Sequence, residues 1–169
     1  MTHSEPAPPV DAPGEPEAPS DVPGSEAIVV RLGAGSFAID LASVAEVGRV
    51  PVVTRVPGGP DWLAGLANWR GRILAVLDLR AQLGAEPVPL GRAARLVVLT
   101  SEGVTAGIVV DAVAGTTSLT DVAAWPGESG QTRTSLISGQ APRVDGPLAV
   151  IDAAAVMRLR ETLPRRRTA

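Results

Sequence analysis

Short apolar runs, each bounded by Gly or Asp, recur along this chain, and they recur twice in the same order. Ile28-Val29-Val30 is echoed by Leu96-Val97-Val98, and the returning segment at Ile39 by one at Ile108. Leu74-Ala75-Val76-Leu77-Asp78 is echoed by Leu148-Ala149-Val150-Ile151-Asp152, in each case about 70 residues further on. Runs this short and this rich in β-branched residues read as strands. A period this long is not that of a solenoid, and it predicts two structurally related β subdomains, the second beginning at about residue 92. Hairpins joined by short loops, without full-length strand–helix alternation, favour two small barrels over a parallel sheet.

Local signals place the pieces between these runs. Gly33-Ala34-Gly35 turns the first strand back into a second, with Phe37, Ile39 and Leu41 expected on one face. A short helical turn is expected within 42–47. Residues 50–56 read as a β-branched strand that Pro51 confines to an edge or bulge. After the turn Pro57-Gly58-Gly59-Pro60, Asp61 is placed to cap a short helix that turns Trp62, Leu63 and Leu66 to the core. Residues 73–77 form a continuous apolar strand, and Asp78 is expected to cap a second short helix that Gly84 ends. A second hairpin turns at Ser101-Glu102-Gly103, and 116–120 suggests a further strand. Residues 123–145 lack a pattern and are expected to hold a loop around Trp125-Pro126-Gly127. Asp145-Gly146 is a hairpin-type turn, and Asp152 caps a closing helix reaching about Leu163.

Composition narrows the chemistry. There is no Cys, and His3 is the only His, which excludes thiolate nucleophiles, Cys-ligated zinc, multi-His metal sites and a Ser-His-Asp triad. No cofactor is expected: Gly33-Ala34-Gly35 lacks the third glycine and the helix of a dinucleotide fingerprint. The net charge is −3, and residues 1–26 carry six acids and no Arg, while all fifteen Arg lie beyond. Scattered Arg make no nucleic-acid footprint. No apolar run approaches a membrane span, so a cytoplasmic protein without direct membrane insertion is expected. Residues 1–25, with seven Pro, read as a disordered tail, 26–160 as the folded domain, and 161–169 as a basic tail.

Catalysis finds little to work with. Asp40, Asp78, Asp111 and Asp152 each close an apolar strand, where a carboxylate pair could be imagined. Helix capping explains Asp78 and Asp152 without it. Arg70 stands out instead: an Arg that precedes Gly71, in a segment otherwise dominated by apolar residues, calls for a carboxylate partner. Glu46, between Val44 and Val47, is the candidate. A pair that is buried would make Arg70 indispensable to the fold, whereas an exposed one contributes little and responds to salt. Gly65, inside an expected helix, suggests close packing or the approach of a partner.

In order along the chain stand Val44-Ala45-Glu46-Val47, Thr54-Arg55-Val56-Pro57-Gly58-Gly59-Pro60, Gly65-Leu66-Ala67-Asn68-Trp69-Arg70-Gly71 and Ala75-Val76-Leu77-Asp78-Leu79. Ala106-Gly107-Ile108-Val109-Val110-Asp111-Ala112-Val113 follows. This succession resembles the CheW-like family of signalling adaptors from about Ala27 to about Arg160, with Trp69 where that family usually has an aliphatic residue. The resemblance implies two five-stranded SH3-like barrels with a groove between them, short helices and a closing helix. It implies no enzymatic activity. Its partners would be the regulatory domain of a CheA-type histidine kinase and the cytoplasmic tip of a chemoreceptor. Val44, Glu46, Val47, Gly65, Asn68, Arg70 and Gly71 are the expected partner-binding or structural residues. Two alternatives are an adaptor serving surface motility or another two-component pathway, and a small β enzyme using the strand-end aspartates.

Overall fold

The computed structural model describes residues 24–86, 88–126 and 135–162. The expected tails, apart from their innermost residues, and the loop expected after Pro126 lie outside these. Strands dominate. In chain order they are β1 (Ser25–Leu32), β2 (Gly35–Asp40), β3 (Val44–Arg49), β4 (Val53–Thr54), β5 (Leu63–Trp69) and β6 (Arg72–Leu77). They continue as β7 (Arg95–Ser101), β8 (Val104–Val110), β9 (Ala112–Leu119), β10 (Ile137–Ala141) and β11 (Leu148–Ile151), and the helix Ala153–Glu161 closes the domain.

The strands form two sheets, ordered β10-β11-β2-β1-β9 and β3-β7-β8-β6-β5-β4. The sequence echo is visible here as an exchange. The hairpin β1–β2 sits among strands of the second half, with β11 parallel to β2, and the hairpin β7–β8 sits among strands of the first half, with β6 parallel to β8. A boundary near residue 92 therefore divides the sequence but not the sheets, because each sheet takes a hairpin from the other half.

Burial explains why so many runs are apolar at every position. A central cluster lies between the sheets and includes Ile28, Val30, Ile39, Leu77, Val97 and Ile108. The alternate residues on the opposite faces form two further clusters, one around Val29, Ala38 and Val150, the other around Leu74, Val76, Leu96 and Val98. A strand buried on both faces needs an apolar residue at each step. The core is aliphatic, as four aromatic residues in the whole chain require.

Several local expectations are corrected. The segment expected as an Asp61-capped helix is strand β5, in which Gly65 and Ala67 are buried while Leu66 and Asn68 are exposed, a period of two rather than 3.6. The ladder supplied by β6 outweighs the helix signals. The helical turn expected within 42–47 is a 3-10 turn at Leu41–Ser43, and Val44 and Val47 belong to β3. Leu41 consequently leaves the face of Phe37 and Ile39 and is partly exposed. Only Val53–Thr54 of the 50–56 run is strand. Asp78 does not cap the turn Ala81–Leu83, although Gly84 does end it, in a left-handed conformation with φ +76°. The patternless stretch contains β10, which its small residues concealed. Asp152 caps the closing helix as expected, accepting from the Ala155 amide at 3.1 Å.

Candidate partner-binding site

Strands β5 and β6 are joined by the two-residue turn Arg70–Gly71, with φ +50° and +80°. Positive φ at both positions is the turn whose twist suits a hairpin, and Gly71 takes it without steric cost. Asn68 reinforces it by accepting the Gly71 amide on Oδ1 at 2.8 Å. The same turn carries the Arg70 side chain across to β3. There its Nε reaches both oxygens of Glu46 at 3.0 and 2.9 Å, and its Nη2 also donates to Oε1. The ion pair expected from the sequence is present.

Its burial decides its weight. The Arg70 side chain is 74% exposed and that of Glu46 30%. The pair is therefore an exposed one, a brace for the hairpin rather than a pillar of the fold.

Trp69, unremarked in the sequence except as a departure, is the third member of the cluster. Its indole Nε1 donates to Glu46 Oε2 at 3.1 Å. Its ring lies over Gly48, where an added Cβ would stand 2.4 Å from Cη2. With the Trp69 ring in this position, Gly48 leaves open the space that a Cβ would fill. No single window of sequence shows that relation.

Hydrogen bonds from Arg70 hold the Glu46 carboxyl below the usual glutamate range, with the Trp69 indole adding to the effect and partial burial opposing it. The contribution of such a depressed group is complete above its ordinary pKa and disappears as pH falls through the depressed one. The Trp69 indole N–H resonance is therefore expected to titrate with a midpoint below that of a free glutamate, and the midpoint should rise in Arg70→Ala. A midpoint at or above the free value in the unaltered chain would contradict the cluster.

The other expected residues divide. Val44 and Val47 lie opposite Leu99 and Val97 on β7, whereas Glu46 lies opposite Val98, because a bulge at Ala45 shifts the alternation. Val44 packs on the central core and Val47 is 40% exposed. Gly65 is buried at a second bulge, beneath β4, and is not a surface residue. An added Cβ would meet the Thr54 carbonyl oxygen at 2.2 Å. The structure thus gathers Glu46, Asn68, Arg70 and Gly71 and assigns Gly65 to packing.

The strand-end aspartates are all engaged. Asp40 accepts from the Ala42 amide, and Asp152 caps its helix and pairs with Arg158. Asp78 and Asp111 converge on Arg80, which is 4% exposed. Arg80 grips Asp78 through Nε and Nη2 at 2.9 and 2.7 Å and Asp111 through Nη1 at 3.0 Å. Asp111 also accepts the Gly33 amide at 2.7 Å, and Arg80 donates to the Val88 carbonyl at 2.6 Å. Hydrogen bonding to Asp78 raises the Arg80 pKa further above its ordinary value, so the guanidinium stays charged. These two carboxylates form a structural clamp: both are held by the Arg80 guanidinium, although each also lines the wall of a separate surface pocket.

The sequence matches the CheW-like domain over residues 26–161. The chain belongs to the CheW-like family. It is 40% identical to Protein PilI of Pseudomonas aeruginosa over 85 residues, which is 50% of this chain and 48% of that protein. It is 34% identical to the chemotaxis protein CheW of Klebsiella aerogenes over 97 residues, 57% of this chain and 58% of that one. Protein FrzA of Myxococcus xanthus is 32% identical over 93 residues, covering 55% and 58%. The matched segments thus span about half to three-fifths of these relatives. The crystal structure of the scaffolding protein TtCheW from Thermoanaerobacter tengcongensis superposes with a TM-score of 0.69 at 24% identity. That match covers 76% of this chain and 89% of the other, and it shows the shared fold of two SH3-like β subdomains. No helix among the described residues is long and apolar enough to cross a membrane.

Proposed function

We propose that this CheW-like chain is a non-enzymatic adaptor. It would couple the regulatory domain of a CheA-type histidine kinase to the cytoplasmic tip of a chemoreceptor, from the cytoplasm. The observation that carries this reading is the character of the site. A rigid hairpin tip presents an exposed guanidinium, held in place by Glu46, Trp69 and the Asn68–Gly71 bond, beside exposed apolar side chains. Such a surface recognises and positions, and the aspartates that could serve chemistry are bound elsewhere. Val44, Glu46, Val47, Asn68, Arg70 and Gly71 form the proposed contact region, with Gly65 supporting it from within.

The test is capture of the purified kinase regulatory domain from the same cell by the full chain and by Arg70→Glu. Because the pair is exposed, Arg70→Glu should leave the melting temperature nearly unchanged while capture falls at least about tenfold, the loss of one well-placed charged contact. Unaltered capture would remove Arg70 from the interface. The 40% identity to Protein PilI favours a second reading, an adaptor for surface motility or another two-component pathway. Capture of a different kinase by the same residues would select it.

A further inference from the structure

A groove of about 560 Å³ runs between the β5–β6 hairpin and the last turn of the closing helix. Its lining includes Trp69 and Ile73, and Ile73 is 72% exposed, a large apolar side chain left open. Arg70, Arg72 and Arg160 line it against a single carboxylate, Glu46. Glu46 is already taken by Arg70 and Trp69, whereas Arg72 and Arg160 have no ion pair with any described residue. The groove is thus cationic and apolar at once.

The chain carries a segment of complementary chemistry. Residues 1–23 precede the first described residue and contain Glu5, Asp11, Glu15, Glu17 and Asp21 with no Arg, interspersed with seven Pro. Pro16 stands eight residues before Gly24, a reach of about 27 Å when extended, nearly twice the radius of gyration of about 14 Å of a domain of this size. Tethering raises the local concentration of such a segment to the order of millimolar, so contacts too weak for a free peptide become significant. Pro-rich segments dock on aromatic-floored grooves, and carboxylates pair with Arg at the rim.

We propose that the acidic, Pro-rich segment 11–21 of this same chain docks in the Arg-lined groove over Trp69 and Ile73. A proline such as Pro16 lies on the apolar lining, and its neighbours Glu15 and Glu17 meet Arg72 and Arg160. The inference is independent of the adaptor reading, because its probe is the chain itself.

The absence of Cys permits a direct test. A nitroxide attached to the full chain through Ala12→Cys should selectively broaden the Trp69 indole signal and the amides of Ile73 and Thr105 at low ionic strength. The broadening should fade at high salt and in Arg72→Glu/Arg160→Glu. It should fade equally when Asp11, Glu15, Glu17 and Asp21 are replaced by their amides. This second variant leaves every described residue untouched, should the first misfold. Broadening spread evenly over the surface, or concentrated on Arg165–Arg167, would overturn the proposal. So would broadening seen only when labelled and unlabelled chains are mixed, which would place a second copy's segment in the groove. Selective broadening that survives both sets of substitutions would overturn its electrostatic basis.

Discussion

Arg80→Met is expected to lower the free energy of unfolding by about 3 kcal/mol, a fall on the order of ten degrees in Tm. The side chain is almost wholly buried and links Asp78, just after β6, to Asp111, between β8 and β9. Methionine replaces its volume but leaves two carboxylates without their cation. Those side chains are about a fifth exposed, so water relieves part of the penalty and the lower end of the range for a broken buried pair applies. Arg80→Lys should recover only part of the loss. An ammonium restores the charge without the planar fork that holds Asp78 bidentately while reaching Asp111 and Val88. Thermal and urea unfolding check both variants, and Arg80→Met within about 1 kcal/mol of the unaltered chain would show that the clamp contributes no more than an exposed pair.

Gly65→Asp is expected to be the most damaging change in the region of the proposed site, and to act through the fold. The backbone at Gly65 has φ +150°, a conformation L side chains rarely adopt, and the new Cβ would overlap the Thr54 carbonyl. Backbone strain of about 1–3 kcal/mol is joined by a buried, unpaired carboxylate. Strand β4 is only two residues long, so it should detach and expose the apolar cluster around Val53 and Ala67. The measurable result is a broad, lowered melting transition and rapid amide exchange at the β4–β5 ladder, with loss of partner capture following from it. Gly71→Ala supplies the contrast. Its φ is +80°, but an added Cβ there meets nothing within 4 Å, so only the turn's conformational preference is lost, at about 1 kcal/mol. Should Gly65→Asp melt like the unaltered chain while failing to bind a partner, the glycine would be a contact residue after all.

Much of the site was legible in the sequence because its parts are local. A polar turn at Asn68–Gly71 is legible from its residue types, though not as a hairpin turn, because 62–67 read as helix, and Arg70 is conspicuous as a charge in a segment dominated by apolar residues. Glu46, set between Val44 and Val47 and with no helix to cap, was the candidate partner. Arg80 stayed hidden for the opposite reason. Asp78 lies two residues away and looked sufficient as a helix cap, while Asp111 is 31 residues off and joins Arg80 only once β6 and β8 lie parallel. The part played by Trp69 was equally concealed, since it depends on Gly48 and Glu46 of β3 being brought beneath the hairpin.

The sequence by itself determined that this chain would be a mostly β protein with an aliphatic core, built on a repeated strand order. Apolar run length, turn residues and the scarcity of aromatics act within a few residues and need no partner to be read. It could also rule out thiolate nucleophiles and multi-His metal sites, because the chain has no Cys and a single His. Tertiary structure alone decided which half supplies which strand. Backbone hydrogen bonding is the same for any strand, so the apolar pattern of β1–β2 suits either sheet, and only the fit of side chains across the central core selects the exchanged arrangement. It alone decided that 63–69 is a strand rather than a helix, since the ladder offered by β6 outweighs a modest local preference. And it alone decided that the Glu46–Arg70 pair faces solvent: burial depends on what the rest of the chain packs over a residue, and neither charge nor spacing records it.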